Sequence, residues 1–150
     1  MRRVDLKRVA PEVSRAVHEM DVTVKQAGLD PELVELVKVR VSQTNRCACC
    51  LDMQTKDALA AGERPQPLFG LSAWREAPFY TDRERAALAW AEAVTLCPEG
   101  VPDDVYELTR TYFAERELGF VTLAVIAINN WNRLAVSFRA PVGTSRPDLA

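Results

Sequence analysis

The sequence predicts an all-α fold. Three observations carry that expectation: apolar residues recur at three- and four-residue intervals, side-chain caps or Pro- and Gly-containing breaks separate the periodic stretches, and no strand pattern has a partner nearby. Pro11 to Gly28 comes first, with Val13, Val17, Met20 and Val24 on one helical stripe and Gly28 placed to end it. Asp30-Pro31 then supplies an N-cap and a proline at the first helical position, and Leu33, Val34, Leu36, Val37 and Val41 form a broad apolar face running to about Asn45. Within it Val37-Lys38-Val39-Arg40-Val41 alternates as a strand would, but the preceding cap favours a helix.

Asn45 is a candidate cap for a third helix, starting near Cys47, in which Leu51, Ala58 and Leu59 face inward and Gly62 is the stop. The following stretch, ERPQPLFGLSAWREAPFY, is broken by three prolines and a glycine; it reads as a loop with one short helix near Leu71 to Arg75, a candidate lid or hinge. Thr81-Asp82-Arg83-Glu84 is a capping box opening AALAWAEAVTLC, and Pro98 and Gly100 end that helix. Pro102 to about Glu117 reads as the next helix around Val105, Leu108, Tyr112 and Phe113. Gly119 is expected to interrupt before VTLAVIAINNWNRLAVSF, which is apolar all round and so should be a buried central helix. The tail from Ala140 is expected to be poorly ordered. That makes about six to seven helices, with no internal repeat.

A chain of 150 residues, 48% hydrophobic and 27% charged, fits one domain spanning 1–150 with a core that needs no staple. Scattered basic residues and a net charge of −2 argue against nucleic acid as a partner. No apolar run approaches the ~20 residues of a membrane span, and the start MRRVDLKRVAPEV lacks a signal-peptide stretch, so a cytoplasmic location is expected.

Three of the four cysteines, Cys47, Cys49 and Cys50, fall within four residues. Such a cluster in a core-sized chain points to redox chemistry or metal rather than to a disulfide scaffold. Zinc needs four ligands, and beyond the cluster the chain offers only Cys97 and a lone His18, so no metal or cofactor is expected. Cys47 and Cys50, three apart on a helix, share a face and can close a small disulfide; in the first turn, the free N–H groups and the helix dipole favour thiolate. Gln54 continues that face. Cys97 reads as a small buried hydrophobe in an alanine-rich helix, and Glu35 as a solvated charge within reach of Lys38. Asn129, Asn130, Trp131, Asn132 and Arg133 interrupt the last apolar helix; needing partners there, they belong at an interface or beside the site, with structural and subunit contacts favoured. Trp74, Phe79 and Tyr80 could wall an apolar pocket or pack between subunits.

Glu35-x11-Cys47-x2-Cys50, within ELVKVRVSQTNRCACCLDMQTKDALAAGE, resembles the signature of the AhpD-like alkyl hydroperoxidase and carboxymuconolactone decarboxylase superfamily. TDRERAALAWAEAVT and IAINNWNRLAVSFRAPVG are similar to its later helices, so the likeness covers roughly Leu29 to Gly143. The resemblance implies an all-helical AhpD-like bundle forming homo-oligomers, often trimers or hexamers. It also implies a thiol-dependent alkyl hydroperoxide reductase or disulfide oxidoreductase with an antioxidant role, acting on a small hydroperoxide and reset by a protein or small-thiol reductant.

By the same resemblance, Cys50 attacks the peroxide, Cys47 resolves the product, and Glu35 relays protons. The family histidine of that relay falls here on Gln54, whose amide cannot take up a proton near neutral pH. Two alternatives follow: a redox-responsive, non-catalytic oligomeric binding protein with its relay impaired at Gln54, or a decarboxylase of the carboxymuconolactone type, a branch that does not use the cysteine pair.

Overall fold

The computed structural model describes residues 1–147. Among them it has eight α-helices and no strand: α1 (Leu6–Val9), α2 (Pro11–Gln26), α3 (Pro31–Thr44), α4 (Ala48–Ala60), α5 (Pro65–Phe69), α6 (Asp82–Thr95), α7 (Asp103–Tyr112) and α8 (Glu115–Phe138), with a 3-10 turn at Leu71–Ala73. The two helices beyond the expected number are α1 and α5, of four and five residues, too short to show a periodic stripe. None of the helices is long and apolar enough to cross a membrane.

The local signals act as expected at several ends. Asp30 accepts the Glu32 N–H at 3.0 Å, Thr81 and Glu84 close their capping box, and Gly28 leaves α2 at φ 77°. α3 is the hub and touches α4, α6 and α8. Its two sides enter different clusters. Leu33, Val37 and Val41 pack with Ala87, Phe113, Val121, Val125 and Ile128, whereas Leu36 and Val39 pack with Ala58, Leu68, Leu71, Trp74, Tyr80 and Leu88. A helix buried on two sides explains why the valine run alternates without being a strand.

The Pro-rich segment is not a lid. Leu68, Leu71, Trp74 and Tyr80 are all at least 94% buried and form the second cluster with α3, α4 and α6. Arg85 ties it down by donating to the carbonyls of Trp74, Arg75, Ala77 and Tyr80, and the Tyr80 hydroxyl donates to the Pro67 carbonyl. Trp74 and Tyr80 therefore line this chain's own core, and the prolines only deny the segment a long helix.

Four further expectations are corrected. α8 runs through Gly119 without a break, since one glycine costs a helix only ~1 kcal/mol and neighbouring helices cover its apolar side. α6 stops at Thr95, which leaves Cys97 outside the helix and exposed. In α4 the inward stripe is Cys50, Gln54 and Ala58, while Leu59 is 40% exposed. The tail is held as far as Ser145, because Asp52 accepts from the Gly143 N–H and Ser145 Oγ, and Lys56 donates to the Ser145 carbonyl. The last part of that tail, 148–150, lies outside the described residues.

Candidate active site

The connection from α3 to α4 places the cysteines. α3 ends in a Schellman motif: the Arg46 N–H donates to the Gln43 carbonyl at 3.1 Å and the Cys47 N–H to the Ser42 carbonyl at 3.0 Å. Asn45 is the C-cap of α3, not the N-cap of α4 as expected; that place falls to Cys47. The left-handed position of the motif is held by Arg46, at φ 54°, where glycine is usual. Relieving that conformation recovers ~1–2 kcal/mol, and the freer unfolded glycine returns ~0.5–1. Arg46→Gly is therefore expected to leave stability unchanged or raise it by up to ~1.5 kcal/mol, read as a urea midpoint; a loss would mean that the Arg46 side chain itself anchors the turn.

Cys47 and Cys50 are 1% and 2% exposed; Cys47 lies between the exposed Arg46 and Ala48, and Cys50 between the half-buried Cys49 and Leu51. They face one another as thiol donor and acceptor. Cys47 makes no regular capping hydrogen bond, yet the peptide N–H groups of Cys50 and Cys49 lie close enough to favour its thiolate. The Cys50 thiol is the largest influence on Cys47, and together with these N–H groups and Asn132 it outweighs burial and lowers Cys47 from 9.0 to about 7. Cys50 is pushed strongly upward, first as the donor to Cys47 and then by burial. Burial also raises Cys49, which is only half-buried.

Gln54 sits one turn beyond Cys50 on the same buried stripe and is 7% exposed. Glu35 is ion-paired with Lys38 on its own helix. Its Oε1 accepts from Lys38 at 2.9 Å and its Oε2 is buried without a hydrogen bond. Nine residues of α3, ~13 Å along the axis, separate it from the end at Thr44. Its charge acts instead on Glu63, which burial, then Glu35, Glu32 and Asp30, raise to about 7. The structure thus brings together Cys47, Cys50 and, on their helix, Gln54, and holds Glu35 in an ion pair.

Asn132 is the neighbour that the sequence reading set among structural contacts. It is 1% exposed on α8, and its carboxamide lies in hydrogen-bonding reach of both sulfurs. Asn45 donates to Asn132 Oδ1 at 2.9 Å and Asn132 donates to Ser42 Oγ at 3.0 Å. Asn130 and Trp131 contact Met20 and Asp21 of α2 in the same chain, so partners expected in part from another subunit are found within this one. The signal was present as two asparagines, 129 and 132, at i and i+3 in an apolar helix.

An all-helical fold that carries two neighbouring thiols at a helix start, one of them lowered toward neutrality, defines a class of thiol protein. The chain belongs to the carboxymuconolactone decarboxylase family, whose model matches residues 11–93. It is 39% identical over 136 residues to the uncharacterised protein YdfG of Bacillus subtilis, covering 90% of this chain and 92% of that one. A protein of unknown function from Agrobacterium tumefaciens, ATU0492, proposed to be the antioxidant defence protein AhpD, superposes with a TM-score of 0.92 at 38% identity, over 97% of this chain and 100% of its own. The debrominase Bmp8 shares the fold, with a TM-score of 0.81 at 17% identity over 89% of this chain and 73% of its own.

Proposed function

We propose that this protein is a thiol-dependent hydroperoxide reductase, or a disulfide oxidoreductase, that cycles Cys47 and Cys50 between dithiol and disulfide. The observation that supports it is the pair itself: two adjoining sulfurs at the start of α4, one lowered to about 7. The thiolate of Cys47 attacks the terminal oxygen of a hydroperoxide. The O–O bond breaks, sulfur is oxidised to sulfenic acid, and the departing alkoxide takes a proton from water to leave as alcohol. Cys50 then releases its proton and attacks the Cys47 sulfur; the S–S bond forms and the expelled hydroxide leaves with that proton as water. An external dithiol, itself oxidised to a disulfide, returns both sulfurs to thiols by exchange.

Neither step requires a histidine at position 54, because the nucleophile is already ionised in part near neutral pH. Burial of both sulfurs favours small peroxides over bulky ones. The reduced protein is expected to lose two of its four free thiols with one equivalent of hydrogen peroxide or cumene hydroperoxide, faster with the former. An unchanged thiol count with both oxidants removes the peroxidase reading.

A further inference from the structure

The side-chain amides beside the dithiol have orientations that can be settled one after another. Arg133 Nη1 can only donate and the Val125 carbonyl can only accept. The first meets Asn129 Oδ1 at 2.7 Å and the second meets Asn129 Nδ2 at 2.9 Å, so this amide has a single polarity. Thr95 Oγ1, 3.0 Å from the same Nδ2, agrees with it. Asn129 Oδ1 then requires a donor from Asn45, whose Nδ2 is 2.9 Å away. That Nδ2 is also 2.9 Å from Asn132 Oδ1, which turns Asn132 Nδ2 toward Ser42 Oγ and the sulfurs. Arg133 and Asn45 thus both donate to Asn129 Oδ1, Asn45 also donates to Asn132 Oδ1, and the last amide of the network presents an N–H group on the side of the dithiol.

We propose that Asn132 stabilises the thiolate of the Cys47–Cys50 pair through its amide N–H, and that Asn45, Asn129 and Arg133 are positioning residues that keep this amide from turning over. The proposal rests on the dithiol reading above and supplies what Gln54 lacks only in part. An amide proton can be directed at a thiolate, but it cannot be given up near neutral pH. Asn132 thus favours the ionised nucleophile and takes no part in proton transfer. With its oxygen occupied by Asn45, the reverse orientation would set two acceptors, Asn132 Oδ1 and a thiolate, against each other.

The other charged or titratable groups around the pair are few. On α4 they are Cys49 and Asp52, the latter acting on Cys49 and paired with Lys56. Arg46 lies exposed in the connection, α3 presents the uncharged Ser42, and on α8 Arg133 reaches the sulfurs through Asn129. None of these supplies the donor at the sulfurs that Asn132 does.

The test is a pH titration of thiolate ultraviolet absorbance on the reduced full-length protein, with Cys49 and Cys97 replaced by serine so that only the pair reports. The parent is expected to titrate near 7. Asn132→Leu, a near-isosteric change that removes the donor without adding a charge, is expected to raise the midpoint by about one unit or more, a tenfold or greater loss of thiolate at neutral pH. Asn45→Leu leaves Asn132 intact but withdraws the donor that holds its oxygen, so its amide is free to turn over and the midpoint rises likewise. A folded Asn132→Leu protein with the parent's midpoint overturns the proposal. Should that variant fail to fold, an unchanged midpoint in Asn45→Leu, at a half-buried position, overturns it equally. No peroxide enters the titration, so a wild-type protein inert to hydroperoxide defeats the peroxidase reading and leaves this result legible. An unchanged midpoint defeats the role of Asn132 alone.

Discussion

With Cys49 and Cys97 replaced by serine, Cys50→Ser is expected to accumulate a sulfenic acid on Cys47 when exposed to hydroperoxide, and Cys47→Ser is expected to react about 10²-fold more slowly at pH 7. The ratio follows from thiolate fractions. Cys47 near 7 is half ionised at neutral pH, whereas a buried thiol above the ordinary 9.0 is ionised to ~1% or less. Serine at position 50 removes the thiol that hydrogen-bonds to Cys47, but its hydroxyl can donate in the same place, and the peptide N–H groups of Cys49 and Cys50 remain. Cys47→Ser leaves burial acting on Cys50, with the hydrogen bond from Asn132 as a smaller offset. The rate for Cys50→Ser should climb with pH and level off above about 7, as the nucleophile becomes fully ionised. Trapping with a sulfenic-acid reagent and locating the label by mass spectrometry decides the order. A faster reaction in Cys47→Ser would return the first attack to Cys50, as the family resemblance implies.

Glu92→Ala is expected to cost ~3–5 kcal/mol of stability, measured as the urea-unfolding free energy. Only 14% of this side chain is exposed, and it joins three elements: Oε1 accepts from Arg40 Nε on α3 at 2.7 Å and from Trp74 Nε1 at 2.8 Å, and Oε2 accepts from Arg75 at 2.6 Å. Removing the carboxylate strands Arg40, itself only 18% exposed, and the indole N–H. The pairing with Arg75, which is 61% exposed, contributes little of this. Burial alone would raise the carboxyl, but the hydrogen bonds from Arg75, Trp74 and Arg40 outweigh it and hold the group below 4.5. A lowered acid stabilises the fold above its unfolded pKa, and this contribution disappears as pH falls through the folded value. Wild-type protein should therefore lose stability below about pH 4.5 more steeply than Glu92→Gln, in which nothing at this position titrates. Equal pH slopes for the two would show that the carboxylate is not held by these donors.

Both predictions concern groups whose importance is unequally visible in the chain. Asp30, Thr81 with Glu84, and Gly28 act through partners a few residues away, so the ends they define can be read directly. The dithiol is legible for the same reason: Cys47, Cys50 and Gln54 lie on one helix and need no distant segment to come together. Glu92 carries no such mark. Its partners lie 52, 18 and 17 residues away, and a glutamate in an alanine-rich helix reads as solvated until the loop and α3 close over it.

The same contrast explains the misread elements. Prolines in the segment before Thr81 correctly forbid a long helix, but whether a broken segment flaps or packs depends on what its Leu68, Leu71 and Trp74 meet, and they meet α3 and α6. Gly119 weakens a helix locally, and α8 survives because its apolar side is covered by α3 and α6. Asn129 and Asn132 were visible as polar groups in need of partners, while the identity of those partners, 84 to 90 residues distant, was not.

What the sequence determined alone is the all-helical class, the longer helices with several of their ends, and a pair of thiols at the start of one of them. These follow from interactions that span one or two turns and are the same in any tertiary setting. Tertiary structure decided that Cys47 is lowered while Cys50 is raised, and which distant groups Asn129 and Asn132 meet. Those outcomes depend on burial and on donors brought in from α8, and chain order holds no record of either until the helices are packed.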